Sequence, residues 1–176
     1  YSQFVLLGVL YIKEREIMDY YIKDIDPSTG ELIQFIPFTL SSEIDNMVTN
    51  ARQAFLNWRK LSPIKRGEVL DNVAQIVKND VEELSKLIAT ESGKVMSEAR
   101  ADVIEGLHTL QYWFGRIRMP SGEIIDSEIP EKDAFVFRKP KGIVTAITPW
   151  NFPFAIPLWL ICPSLVYGNV VIFKPS

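Results

Sequence analysis

The chain has 176 residues, 47% of them hydrophobic and 23% charged, with a formal net charge of -3 and a pI near 5.3. This makeup excludes a disordered or fibrous chain and supplies enough apolar material for a core. Acids and bases are interleaved, so no basic face offers itself to a phosphate backbone and nucleic acid is not an expected partner.

Residues 1–25 read as an N-terminal extension with no assigned function. Its apolar run "FVLLGVLYI" is too short to span a membrane, and it meets the charged "KEREIMDYY" at once, which argues against a signal peptide. "DIDPSTGELIQFIPF" places the turn formers Asp26, Pro27, Ser28 and Gly30 between two extended runs, the pattern of a β-hairpin.

Helices follow, and residues 26–119 read as a largely helical region. Ser41 or Ser42 is the expected cap of the first, whose apolar stripe is Ile44, Val48, Ala51, Phe55 and Trp58. The second starts with Ser62 as cap and Pro63 at its first position, turns Leu70, Val73 and Val77 inward, and ends at Asn79 and Asp80. A third covers "VEELSKLIATES" and stops at Gly93, where a left-handed residue is wanted. The fourth is expected from about Ser97 to Phe114, with Val103, Leu107, Leu110 and Phe114 inward. His108, the one histidine, lies beside that stripe as a packing or surface residue.

Residues 120–140 turn to strands, "GEIIDSEI" and "AFVFRK", and residues 141–176 carry "GIVTAIT" and "NVVIFK". These last two are short, apolar and β-branched, which suits parallel strands buried on both faces and joined by a crossover helix. That helix is not a membrane span, because Phe152 to Tyr167 is broken by Pro153, Pro157 and Pro163 and falls short of about 20 residues. Parallel strands open their carboxyl ends on one rim, where α/β sheets hold ligands, so Trp150, Asn151, Lys174 and Ser176 are expected to converge.

Two readings of that rim stand side by side. "PWNFP" is either a proline-rich turn with Lys174 an ordinary strand-end charge, or a built site. In the second reading Pro149 and Pro153 fix the Asn151 carboxamide as a donor to a developing oxyanion, and Lys174 meets ribose hydroxyls or a phosphate. Cys162 sits among Leu160, Ile161 and Pro163, where no base or cation would activate its thiol, and reads as structural. With one cysteine and one histidine, neither a disulfide nor a structural zinc site is expected, which fits a cytoplasmic setting.

The run from "GIVTAITPWNFP" to "NVVIFKPS", with "DPSTGE", "AFLNWRKLSPIKRGEVL", "ESGK" and "EARADV" upstream in matching order, resembles the N-terminal portion of the aldehyde dehydrogenase superfamily. The resemblance covers about Asp26 to Ser176. It implies an α/β fold in which N-terminal helices and β-hairpins lead into an incomplete Rossmann-like parallel sheet, with the strands of residues 120–140 as an oligomerisation arm. It implies NAD or NADP as cofactor, lined by Ile147, Thr148, Pro149 and Trp150, with Lys174 on the adenosine ribose and Ser176 beside it. Asn151 would help form the oxyanion hole, and Phe152 and Trp159 would face the aldehyde tunnel. Where many members carry a lysine after that tryptophan, this chain has Leu160, and "IPLW" resembles members acting on semialdehydes.

In the family, the rest of the nucleotide fold and a catalytic part with the nucleophilic cysteine and general-base glutamate follow. These 176 residues would then be the N-terminal part of an NAD(P)-dependent enzyme oxidising an aldehyde or semialdehyde. By themselves they would be inactive, weak or unable to bind cofactor, and in need of a C-terminal catalytic partner and a homo-oligomer. The alternative is a non-catalytic remnant serving as a binding or oligomerisation module.

Overall fold

The computed structural model describes residues 20–176. The first nineteen residues of the extension lie outside the described part, and the hairpin begins within the extension's last residues. β1 (Tyr21–Ile25) pairs antiparallel with β2 (Leu32–Pro37). Asp26 organises the turn between them: its Oδ1 accepts from the Ser28 backbone at 2.7 Å, and Gly30 takes a φ of 77° that a side chain would resist.

Four helices follow, α1 (Ser41–Trp58), α2 (Pro63–Asn79), α3 (Val81–Ser92) and α4 (Met96–Arg116). The N-cap of α1 is Leu40 rather than a serine. Ser41 is already helical, and the Glu43 carboxylate reaches back to accept from the Leu40 N–H at 2.7 Å, a satisfaction of the helix end that needs no hydroxyl. Ser62 caps α2 as expected, accepting from Lys65 N–H with Pro63 at the first position. Gly93 ends α3 at φ 69° and donates its N–H to Ala89.

The core lies where α4 packs against α2, α3 and α5 (Ala155–Val166), and it is built from Leu70, Ala74, Val77, Ile88, Val103, Leu107, Leu110, Cys162 and Val166 among others. Val73 is 37% exposed and Ala74 takes its expected place. The reason is helix phase: Gly67, Leu70, Ala74 and Val77 fall on one face of α2 and Val73 at its edge, and at Gly67 a Cβ would run into the Ile117 side chain at 2.1 Å. Similarly, a Cβ on Gly106 of α4 would meet Phe154 at 2.5 Å, so glycine permits α4 to approach the start of α5.

Two small sheets complete the chain. β3 (Glu123–Ile125) and β4 (Ala134–Val136) form an antiparallel pair exposed along its length. β5 (Ile143–Ile147) and β6 (Val170–Lys174) run parallel, joined by α5, with Ile147 opposite Lys174. Asn169 locks their starts together, its Oδ1 accepting from Lys141 N–H at 2.6 Å and Gly142 N–H at 3.0 Å. The expectation of burial on both faces does not hold within this chain. Ala146 and Val170 are buried, but Ile147 and Phe173 are exposed, because α1 and α5 cover only part of a two-stranded sheet. Among the described residues no helix is long and apolar enough to cross a membrane, and no group of side chains has metal-ligating geometry.

Candidate active site

The carboxyl ends of β5 and β6 carry the rim residues that the sequence singles out. The ladder continues one residue past β5, with Thr148 N–H donating to the Lys174 carbonyl at 3.3 Å, so the "PWN" turn springs from beside Lys174. The Thr148 hydroxyl is buried and has no partner among the described residues. Pro149, Asn151 and Lys174 are exposed, and Trp150 is 73% exposed. Trp150 and Ser176 share a cleft of about 360 Å³, whose other wall includes Asp24 of the hairpin and Glu91 of α3. Burial, together with the neighbouring Asp24 carboxylate, raises the pKa of Glu91, since two like charges there oppose ionisation.

Two residues that sequence reasoning passed over hold the turn in place. Lys94, in the α3–α4 connection, donates its Nζ to the Asn151 carbonyl and lies 4.5 Å above the Phe152 ring, a cation–π contact. Asp102 of α4 is 0% exposed, and its Oδ1 accepts from Ala155 N–H at 2.8 Å while its Oδ2 accepts from Phe154 N–H at 3.4 Å. A carboxylate at the N-terminus of α5 satisfies two orphan donors and meets the positive end of the helix dipole. The turn is thereby pinned at both ends, at Asn151 by Lys94 and at Phe154–Ala155 by Asp102.

The available signal for Asp102 was its place on the buried side of α4, one residue before Val103, where a carboxylate demands a partner. Asp102→Ala is expected to lower the unfolding free energy by about 2–4 kcal/mol, because it leaves one buried and one part-buried N–H group unpaired. Asp102→Asn keeps an acceptor and should lose less. Urea unfolding measures both, and an alanine variant with an unchanged midpoint would sink this account of the turn.

Trp159 stands in a second cleft of about 420 Å³, with Glu105, His108 and Tyr112 of α4 opposite it. Its indole N–H donates to Glu105 Oε1 at 3.2 Å. Phe152 lies at the turn under Lys94 and lines neither this cleft nor the one holding Trp150. His108 is a surface residue, exposed on the face of α4 that looks toward Trp159. Cys162 is 0% exposed, and burial pushes its thiol up to about 12, so it is an inert core residue.

A parallel βαβ unit with a proline-flanked turn at its carboxyl rim, preceded by a helical layer, defines an α/β fold of the class that holds ligands at that rim. The aldehyde dehydrogenase family model matches residues 12–176, and the chain belongs to that family. It is 36% identical over 149 residues to the alpha-ketoglutaric semialdehyde dehydrogenase of Bacillus subtilis (strain 168), covering 84% of this chain and 30% of that protein. Among solved structures it is similar to lactaldehyde dehydrogenase from Escherichia coli, with a TM-score of 0.83 and 30% identity over 89% of this chain and 33% of the other. A glyceraldehyde-3-phosphate dehydrogenase, GapN, from Methanocaldococcus jannaschii DSM 2661, solved with NADP, gives a TM-score of 0.84 and 31% identity over 89% of this chain and 34% of its own. The chain thus spans about a third of the length of these relatives.

Proposed function

We propose that this chain is the N-terminal part of an NAD(P)-dependent enzyme that oxidises an aldehyde or semialdehyde to the carboxylic acid. The observation that carries the reading is the rim itself, where the Asn151 turn, braced by Lys94 and Asp102, rises beside Lys174 at the ends of a parallel pair. Family membership supports aldehyde oxidation, and a semialdehyde-oxidising relative and the "IPLW" run with Leu160 favour the semialdehyde branch.

The residues present fit a nicotinamide dinucleotide. The unpartnered Thr148 hydroxyl, the exposed Ile147 and Trp150 surfaces with Pro149, and Lys174 and Ser176 offer polar and apolar contacts along the rim, with Trp150 and Ser176 in one cleft. The cofactor supplies hydride acceptance. Asn151, held by its backbone, offers its carboxamide to the oxygen of the aldehyde as negative charge develops on it, and being held in advance it needs little reorganisation. Trp159 borders the aldehyde's approach from the cleft it shares with Glu105 and His108, and Phe152 borders it from the turn under Lys94, outside that cleft. The thiol nucleophile and the general base belong to a C-terminal catalytic part. The exposed β3–β4 pair serves as the oligomerisation arm of a homo-oligomer, in the cytoplasm.

Lys174→Ala in the complete enzyme tests the cofactor half of this reading. The cofactor dissociation constant should rise about tenfold or more, since a charge-assisted hydrogen bond is worth roughly 1.5–3 kcal/mol. Calorimetry finding unchanged affinity for both NAD and NADP would remove Lys174 from the site.

A further inference from the structure

At the opposite end of β5 and β6 from Trp150 and Ser176, four arginines surround a small cavity of about 140 Å³: Arg59, Arg66, Arg116 and Arg138, with Ser121 and Tyr167 in the same wall. Among the described residues no acidic side chain lines it. Among the described residues the partners of these guanidiniums are all neutral. Arg66 donates its Nε to the Val166 carbonyl at 2.9 Å and its Nη1 to the Leu61 carbonyl, while Arg116 donates to the Pro120 carbonyl at 3.1 Å. Arg59 lies 5.2 Å from the Phe55 ring centre and Arg138 lies 5.8 Å from that of Tyr167. The ion pairs among the described residues are Lys65–Glu68 and Arg100–Glu82, so none of the four arginines is neutralised by a described carboxylate.

Arg66 is only 8% exposed, with its guanidinium carbon 3.4 Å from where a Cβ on Gly168 would stand. A buried cation with carbonyl partners alone is costly unless an anion completes it. The glycine at that position lets the chain pass close over the guanidinium. Burial also lowers the pKa of Arg66, the direction expected of an uncompensated charge.

We infer that this cavity is a binding site for a small tetrahedral oxyanion, inorganic phosphate or the terminal phosphate of a small ester. Volume limits what the cavity encloses: about 140 Å³ is room for a single small group such as one phosphate, with the rest of an ester left outside. Chemistry favours phosphate, because planar guanidinium forks match its oxygens two at a time and four arginines line this one cavity.

The test is calorimetric titration of the full chain with inorganic phosphate and with glycerol phosphate, each against sodium chloride at equal ionic strength. Saturable binding of phosphate beyond the chloride control is expected, and binding of the ester as well would identify the terminal phosphate as a second source. The double variant Arg116→Gln, Arg138→Gln should raise the dissociation constant at least about tenfold with an unchanged urea midpoint, since both arginines lie outside the core; Arg66 is left intact because it braces the end of α5. Heats equal to the chloride control, or a double variant that binds as well as the native chain, would overturn the site. Saturable binding of citrate without binding of phosphate would overturn its assignment to a tetrahedral oxyanion.

Discussion

The purified 176-residue chain, supplied with NAD or NADP and a panel of aldehydes, is expected to form no reduced cofactor. The argument rests on the side chains it contains. Covalent aldehyde oxidation of the family's kind starts from a thiolate, and the sole cysteine, Cys162, is fully buried with a pKa of about 12. Burial keeps that thiol protonated at neutral pH, and packing among the helices bars an aldehyde from reaching it. No arrangement of Asn151 and Lys174 replaces a nucleophile. Activity should appear when the C-terminal part is supplied, either in the complete enzyme or as a separate chain. Steady production of reduced cofactor by the isolated chain would refute the proposal that these residues are only the N-terminal part of the catalyst.

In the complete enzyme, Asn151→Ala should lower kcat by about a hundredfold to a thousandfold while cofactor affinity stays nearly unchanged. Removing one oxyanion donor costs the transition state far more than the ground state, so the loss falls on turnover. The structure sharpens this expectation. The Asn151 backbone is held through its carbonyl by Lys94, and the following residues by Asp102, so truncating the carboxamide leaves the turn's supports in place. The effect then reports the lost donor and not a collapsed loop. A variant with native turnover would exclude Asn151 from the oxyanion site. A weakened cofactor with unaltered kcat would reassign it to binding.

The two expectations differ in what the sequence contributed to them. The candidate rim was legible because "GIVTAIT" and "NVVIFK" carry the β-branched, apolar signature of paired parallel strands. Their pairing, with Ile147 opposite Lys174, brings together residues far apart in the chain. The supports of the rim were not legible. Lys94 reaches Asn151 across 57 positions and Asp102 reaches Ala155 across 53, and neither residue carries a local pattern that names its partner. The arginine cavity was hidden for the same reason, since Arg59, Arg66, Arg116 and Arg138 lie on separate segments that meet only in the folded chain.

By itself the sequence determined what short-range sterics and backbone hydrogen bonding decide. The hairpin turn at Asp26–Gly30, the Ser62–Pro63 start of α2, the left-handed stop at Gly93 and the phase of the α4 stripe all follow from rules spanning a few residues. Tertiary structure decided the rest, because close packing and polar burial depend on neighbours that no local window contains. It put Ala74 rather than Val73 in the core and let Glu43 close the start of α1 at Leu40 in place of a serine hydroxyl. It also set a buried carboxylate under the turn that carries Asn151, since the N–H groups at the head of α5 are taken out of water only when α4 packs against them, and Asp102 is the acceptor that this packing delivers.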